Sequence, residues 1–385
     1  MKRTNLTLLS AVGLVLLLAG CSGAPMPLPT PAGSMTSSPG ASAIPTPTPT
    51  AADDEDEVDA EPALIAPRIA ATCGNLVNAT LRAQLAGVAD DELERVHHPL
   101  ANGSAAELQA GVLTCQWVGP VISDESTAQI DIKVLPDAAA EFAAFVPPTT
   151  GSEVSGTLGA GSTISCFDYA PVRSCYVHFL AGAHWVDASF IGLIPTPTVT
   201  STAAATDFAT AISQRLLAAG SLGAAYVPPS GSVAVWSSCN VLDDLGAFRT
   251  AMSSPSLTSP EAEFTGAGTL FSEAWQRVSF KSCSWRQADP YSSPTGEIRM
   301  ASVTMLPGAE WAWPSLHESY LSRGGVDMAV AGADQATLSC SSDDDCTIDA
   351  LVRGSYISVY LSVDQNRGGA AALAVTAAEF VIARL

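Results

Sequence analysis

From residue 63 onward, apolar positions recur with helical and strand periods, and the whole pattern occurs twice. Leu76, Leu81 and Leu85 after Cys73, and Leu245, Phe248 and Met252 after Cys239, each fall on one face at helical spacing, predicting a short helix in both places. Cys115-Gln116-Trp117 and Cys283-Ser284-Trp285 then predict a strand. The next strand alternates Ile130, Ile132 and Val134, or Ala301, Val303 and Met305, with more polar residues. A helix is predicted after Leu135-Pro136, with Phe142 and Phe145, and after Leu306-Pro307, with Trp311, Leu316 and Tyr320. Three short strands follow around Cys166, Cys175 and residues 185–191, or around Cys340, Cys346 and residues 356–363. Ala-rich helices over 203–219 and 370–385 close the two halves. The order α-β-β-α-β-β-β-α, given twice, predicts an α+β fold of two tandem copies, each an antiparallel sheet covered by helices.

The cysteines carry the same repeat. Cys73, Cys115, Cys166 and Cys175 are spaced by 42, 51 and 9 positions, and Cys239, Cys283, Cys340 and Cys346 by 44, 57 and 6. We therefore read a first domain over 63–226 and its repeat over 227–385, with the seam in the Gly, Pro and Ser-rich stretch 220–232. Four cysteines allow three pairings in each copy. The third and fourth stand at facing ends of strands joined by a short loop, which favours Cys166 with Cys175 and Cys340 with Cys346, leaving Cys73 for Cys115 and Cys239 for Cys283. A metal site is the competing use of these thiols, but the spacings are not those of a zinc ribbon.

Upstream of the repeat the periodicity disappears. Lys2 and Arg3 precede a largely apolar segment over 6–18 that leads into Leu18-Ala19-Gly20-Cys21. A basic start, a short apolar segment and small residues before a cysteine predict a bacterial lipoprotein signal peptide over 1–20, with cleavage before Cys21 and lipid on its sulfur. Two or more acyl chains such as palmitate, at about 0.8 kcal/mol per buried methylene, hold a protein firmly at a membrane. The expected location is the outer, extracytoplasmic face of the cell membrane. Residues 21–62 then form a tether of Pro, Ala, Ser and Thr followed by Asp53, Asp54, Glu55, Asp56, Glu57, Asp59 and Glu61, a self-repelling spacer without the turn glycine of a calcium loop. The eight cysteines other than Cys21 are an even number, as expected of disulfides in an oxidising compartment. A net charge of −21 argues against nucleic acid as a partner.

Cys73, Leu76, Cys115 and Trp117, repeated as Cys239, Leu242, Cys283 and Trp285, together with Gly- and Ala-rich loops and a final Ala-rich helix, resemble the actinobacterial cell-envelope lipoproteins of unknown function. The resemblance implies location and fold. It brings no chemistry, because that family has none established. Its members typically carry one such domain, so the duplication and the extra cysteine pair depart from the pattern.

No catalytic set stands out. Gly-x-Ser-x-Gly is absent, and Gly156, Gly159 and Gly161 are followed by no Lys-Ser or Lys-Thr of a phosphate loop. His97 and His98 read as surface loop, His178 and His184 as a pair that could approach across a hairpin, and His317 has no counterpart in the first copy. Asp343, Asp344 and Asp345 read as a solvated turn. Trp117 and Trp285 are expected in the core with a partner for each indole nitrogen, whereas Trp311 and Trp313, beside Pro314, are candidates to line a glycan or lipid pocket. The expectation is a non-enzymatic envelope lipoprotein that binds a glycan, a lipid or another envelope protein, with no cofactor. The alternatives are an enzyme acting on cell-wall or exported substrates, and a structural spacer.

Overall fold

The computed structural model describes residues 65–385 apart from 97–99, 125, 146–152, 155, 157, 195–199, 263–267, 288–296 and 365–368. The segments expected to be signal peptide and tether, with Cys21, and also His97 and His98, lie outside the described residues. The first copy comprises α1 (Cys73–Leu76), α2 (Ala79–Ala86), β1 (Glu94–Arg95), α3 (Asn102–Gln109), β2 (Leu113–Ser123), β3 (Ser126–Leu135), α4 (Ala139–Ala144), β4 (Glu153–Val154), β5 (Thr163–Tyr169), β6 (Val172–Ala181), β7 (His184–Leu193) and α5 (Ser201–Ala218). The second comprises α6 (Ala247–Ala251), β8 (Glu261–Ala262), α7 (Leu270–Arg277), β9 (Lys281–Arg286), β10 (Ile298–Leu306), α8 (Trp313–Ser322), β11 (Val326–Asp327), β12 (Gln335–Cys340), β13 (Asp345–Val352), β14 (Ser355–Val363) and α9 (Ala370–Ile382).

The two sheets have the same topology. Their strand orders are β1-β2-β3-β7-β6-β5-β4 and β8-β9-β10-β14-β13-β12-β11, every pair antiparallel. Both copies fall in one compact unit, Ala60–Leu385. The disulfides are Cys73–Cys115, Cys166–Cys175, Cys239–Cys283 and Cys340–Cys346, the pairing that the strand order favours. The third and fourth cysteines of each copy are opposite one another in the register of a hairpin.

Period-two alternation sends one side of each sheet to the helices. In the first copy Ile130, Ile132, Val177, Phe179 and Phe190 pack against Leu76 and Leu85 below α1 and α2 and against Phe208, Ile212 and Leu216 of α5. In the second, Trp285, Val303, Ile348, Val359 and Leu361 pack against Phe248 of α6 and Ala374, Ala377 and Val381 of α9. Each large side chain so buried contributes about 1.5–3 kcal/mol. The other side of each sheet carries an apolar row, Leu135, Trp185 and Leu180 or Leu306, Tyr356 and Leu351, and beside it a polar one. Thr114, Lys133, Asp187, His178 and Thr163 form one row across the first sheet, and Ser282, Thr304, Ser358, Asp349 and Thr337 form the matching row of the second.

Three local expectations are corrected. The first helix of the first copy is two helices, because Asn78 accepts from the Leu81 amide and starts a second helix after α1. In the second copy Leu245 does not share a face with Phe248 and Met252: it sits at φ 52 and is 98% exposed, while Leu242 takes the buried place. The Trp285 indole nitrogen has no hydrogen-bond partner, the ring being held by stacking on Phe248 at 4.2 Å between centroids. Trp117 lies beneath the Arg82 guanidinium at 5.3 Å.

One close approach distinguishes the copies. A Cβ on Gly192 of β7 would meet the carbonyl oxygens of Leu85 and Ala86 at 2.3 and 2.6 Å, so the end of α2 rests directly on the strand. The second copy has the buried Val363 at the equivalent place. Gly192→Val is therefore expected to push α2 off the sheet and cost more than about 3 kcal/mol, read from denaturant unfolding of the oxidised protein.

Candidate functional site

Two helices absent from the order predicted from the sequence make the junction between the copies, although Leu270, Phe271, Ala274 and Trp275 of α7 do fall at helical spacing behind the Thr269 cap. α3 and α7 each precede the Cys-x-Trp strand of their own copy, and they pack on one another. Ala105 and Ala106 of α3 lie in a cluster with Leu306, Trp313, Leu316 and Tyr356 of the second copy. Leu270 and Ala274 of α7 lie in the mirror-image cluster with Val112, Leu135, Phe142 and Trp185 of the first. Counted from the Cys-x-Trp cysteines, Ala106 and Ala274 are the same position. The arrangement is that of an isologous dimer within one chain, each copy giving the same surface to the other.

The ends of the helices repeat this exchange. Gln109 and Arg277 are equivalent, and each reaches the proline carbonyl of the other copy's Leu-Pro step. Gln109 Nε2 donates to the Pro307 carbonyl at 2.8 Å, and Arg277 Nη1 donates to that of Pro136. Arg277 also donates through Nη2 to the Asp137 carbonyl at 2.8 Å and through Nε and Nη2 to Glu141 Oε1 at 2.9 and 2.7 Å.

Beside these contacts lies a half-open cleft of about 420 Å³, lined by Gln109, Tyr226, Pro228, Ala234, Val235, Arg277, Val278, Ser279 and Pro307. It draws on both copies and the seam between them. The Tyr226 hydroxyl donates to the Gly308 carbonyl, and burial together with the charge of Glu310 pushes its pKa up, so it keeps its proton. Trp311 stands behind Tyr226 with ring centroids 6.5 Å apart and donates to Gln109 Oε1 at 3.3 Å. Trp313 is elsewhere. It is buried, donates to Gln335 Oε1 at 2.7 Å and stacks on His317, so of the two tryptophans only Trp311 neighbours the cleft.

The remaining candidates are dispersed. His178 Nδ1 lies 3.1 Å from Asp187 Oδ1, its cross-strand neighbour in the polar row of the sheet. His184 pairs in register with Ala181, three rows away, so the two histidines are on opposite faces. Burial lowers the His184 pKa. His317 Nε2 is 2.6 Å from Asp327. Asp345 accepts from Tyr360 and Ser342, and its neighbours Asp343 and Asp344 stand in a bend. Gly156, Gly159 and Gly161 lie in turns or bends or beside them. Among the described residues no three His, Cys, Asp or Glu side chains are grouped to hold a metal ion.

The second sheet holds one charged group that its sequence did not mark. Asp349 is 2% exposed and accepts from the Tyr356 hydroxyl, which is 2.8 Å from that of Tyr320. Burial pushes its carboxyl up to about 6, against the opposing effect of hydrogen bonds from Tyr356, Ser358 and Tyr320. The folded pKa stands above the unfolded one, so the fold favours the protonated form. The resulting stability is fully present below the unfolded pKa and is lost as pH rises through about 6. Asp349→Asn is expected to raise the melting temperature at pH 7.5, by up to about 3 kcal/mol in stability, and to flatten the decline between pH 4 and 6.5. Melting curves across that range check it.

No protein-family model matches the chain, and no curated protein matches it. Among solved structures it is similar to the di-domain ARO/CYC StfQ from the steffimycin biosynthetic pathway, at 9% identity over 77% of this chain and 83% of that one, TM-score 0.14. It is also similar to MucB in complex with MucA(peri), at 8% identity over 72% and 83%, TM-score 0.13. Scores this low carry no argument about fold or function.

Proposed function

We propose that this chain is a lipid-anchored lipoprotein of the extracytoplasmic membrane face with a non-enzymatic binding role in the cell envelope. The single observation that supports a binding role most is the cleft between the copies, where side chains of both repeats and of the seam meet around a space of about 420 Å³. Concave sites at domain junctions, with mixed apolar and polar linings, are where small ligands bind. The Leu18-Ala19-Gly20-Cys21 box supports the anchor, and the Pro and Thr-rich tether supports display away from the bilayer.

The test has two arms. Cys21→Ser is expected to move the protein from the membrane to the soluble fraction and to abolish incorporation of labelled palmitate; retention in the membrane would overturn the anchor. The oxidised chain from residue 22 is then screened by thermal shift against envelope glycans, lipids and small polar ligands. A dose-dependent rise in midpoint, as preferential binding to the native state requires, supports the binding role. Silence throughout the panel counts against it.

One observation favours the enzymatic reading. The His178 and Asp187 pair lies in the polar row opposite Thr163, an order of acid, imidazole and hydroxyl that nucleophilic chemistry uses. Turnover of cell-wall substrates lost in His178→Gln would establish it.

A further inference from the structure

We infer that the open edge of β5 pairs with the same edge of a second molecule of this chain, antiparallel and about a two-fold axis at Phe167. None of the cleft's residues takes part.

The backbone sets up the contact. β4 pairs with β5 only at Thr163 and Ile164, so among the described residues the rest of β5 has no strand on its outer side. Cys166 and Cys175 face one another in register with Cα atoms 4.1 Å apart, the close spacing of an antiparallel pair that exchanges no hydrogen bonds. The amide and carbonyl of Cys166, and those of Asp168 two residues on, therefore point away from β6 to the open edge. Such a row is a template for another strand.

The side chains say which strand. Cys166 and Cys175 belong to the helix-covered core, so alternation puts Ser165, Phe167 and Tyr169 on the other side of the sheet. Phe167 is 40% exposed, Tyr169 71%, and Tyr176, opposite Ser165 on β6, 45%. The second copy shows that the fold does not require these rings. Counting from its hairpin cysteines, the places of Phe167, Tyr169, Ser174 and Tyr176 are taken by Ser341, Asp343, Asp345 and Thr347. There β12 stops at Cys340 and carboxylates stand beside the edge, a common defence against strand addition, whereas β5 runs on to Tyr169.

The exposed stretch is complementary to itself. With Phe167 on the axis, Cys166 of each molecule is opposite Asp168 of the other, and each such pair can exchange both outward backbone hydrogen bonds. The two Phe167 side chains meet in a pair without hydrogen bonds, where side chains approach most closely. Ser165 of each molecule is opposite Tyr169 of the other and has its own Tyr176 on the far side, so a small residue stands between two rings. An unrelated extended peptide would find the same backbone groups without this matching of ring to serine. Asp168 adds a like charge near the axis, offset by Arg173 opposite it in register and by its hydrogen bond from Ser201 Oγ. The net charge of −21 on each molecule opposes the approach, so pairing tightens as salt rises. The contact is short beside a stable interface and needs a high local concentration, in solution or at a membrane.

The chain from residue 22 carrying Phe167→Cys is oxidised gently at high concentration. A cysteine on the axis meets its twin at a spacing that suits a disulfide, so a covalent dimer is expected, with the four native bridges retained by mass. Ser341→Cys, at the same place in the second copy, is expected to stay monomeric. In sedimentation the unaltered chain is expected to form a weak dimer, about threefold or more tighter at 0.5 M salt than at 0.05 M. Phe167→Lys changes an exposed side chain and is expected to abolish that dimer while leaving the melting temperature unmoved. No cross-link at residue 167, equal cross-linking at residue 341, or a dimer indifferent to Phe167→Lys would overturn the inference. A chain that stays monomeric while an envelope glycan perturbs Phe167 would give the rings to that ligand and overturn the pairing too.

Discussion

Replacing Cys239 and Cys283 together by serine is expected to lower the unfolding free energy by about 4 kcal/mol, the chain entropy restored to a loop of that length. The bridge joins residues 44 positions apart, and its counterpart Cys73–Cys115 spans 42, so the same change in the first copy is expected to cost the same. The hairpin bridges are different. Cys166–Cys175 and Cys340–Cys346 close spans of only 9 and 6 residues, and their removal is expected to cost about 2–3 kcal/mol. Both members of each long bridge are buried, and Cys115 and Cys283 lie in the strand that carries the core tryptophan, so serines there also lose apolar contact and the loss exceeds the entropic value if it deviates at all. Denaturant midpoints for the four double-serine variants give the ranking. Equal losses at long and short bridges would mean that loop closure is not what these disulfides contribute.

Arg277→Ala is expected to cost about 2–3 kcal/mol. Three of its nitrogens hold one carboxylate and two backbone carbonyls of the other copy, and their removal leaves Glu141 and the turn at Pro136 and Asp137 without donors. The pair is partly exposed, at 21% and 27% of side-chain area, so water recovers some of the loss and the figure stays below that of a fully buried pair. Arg277→Lys keeps the charge but not the fork, and is expected to recover less than half. Gln109→Ala removes the equivalent neutral contact from the other side and is expected to cost about 1 kcal/mol. The difference between these two equivalent positions follows from charge and from the number of acceptors each side chain holds.

Much of the fold was legible in the sequence because it depends on short-range patterns. Ile130, Ile132 and Val134 alternate, the cysteine spacings repeat, and the third and fourth cysteines of each copy are too close in sequence to pair elsewhere than across a hairpin. α3 was not legible. Asn102, Gly103, Ser104, Ala105 and Ala106 offer small residues where a periodic reading looks for large ones, and the apolar partners of Ala105 and Ala106 lie in the other copy, some 200 positions along the chain. Leu245 misled for the opposite reason: a large apolar residue at helical spacing stands at positive φ before the helix begins. The edge strands β1, β4, β8 and β11 have two residues each, too few for any alternation to show.

The site was legible only in part. Trp311 was a sequence candidate and neighbours the cleft, but Tyr226, Gln109 and Arg277 acquire meaning only once α3 and α7 are seen to cross between the copies. The signal that was available lay in the repeat itself. Setting the two copies side by side pairs Arg68 with Ala234 and Asp137 with Gly308, an ion pair replaced by two small residues. Buried Asp349 had no such signal, because an aspartate in an alternating strand normally faces water and here its row is closed over by Tyr356 and Tyr320.

The reading of this molecule turns on the two copies being one folding unit, joined through α3 and α7 around the cleft. The most direct measurement is denaturant unfolding of the oxidised chain followed by hydrogen exchange resolved by copy. The expected result is one transition in which both sheets lose protection together, with Arg277→Ala lowering the midpoint of both by the same amount. Two separate transitions, one per copy, with a midpoint that Arg277→Ala leaves unmoved, would contradict it.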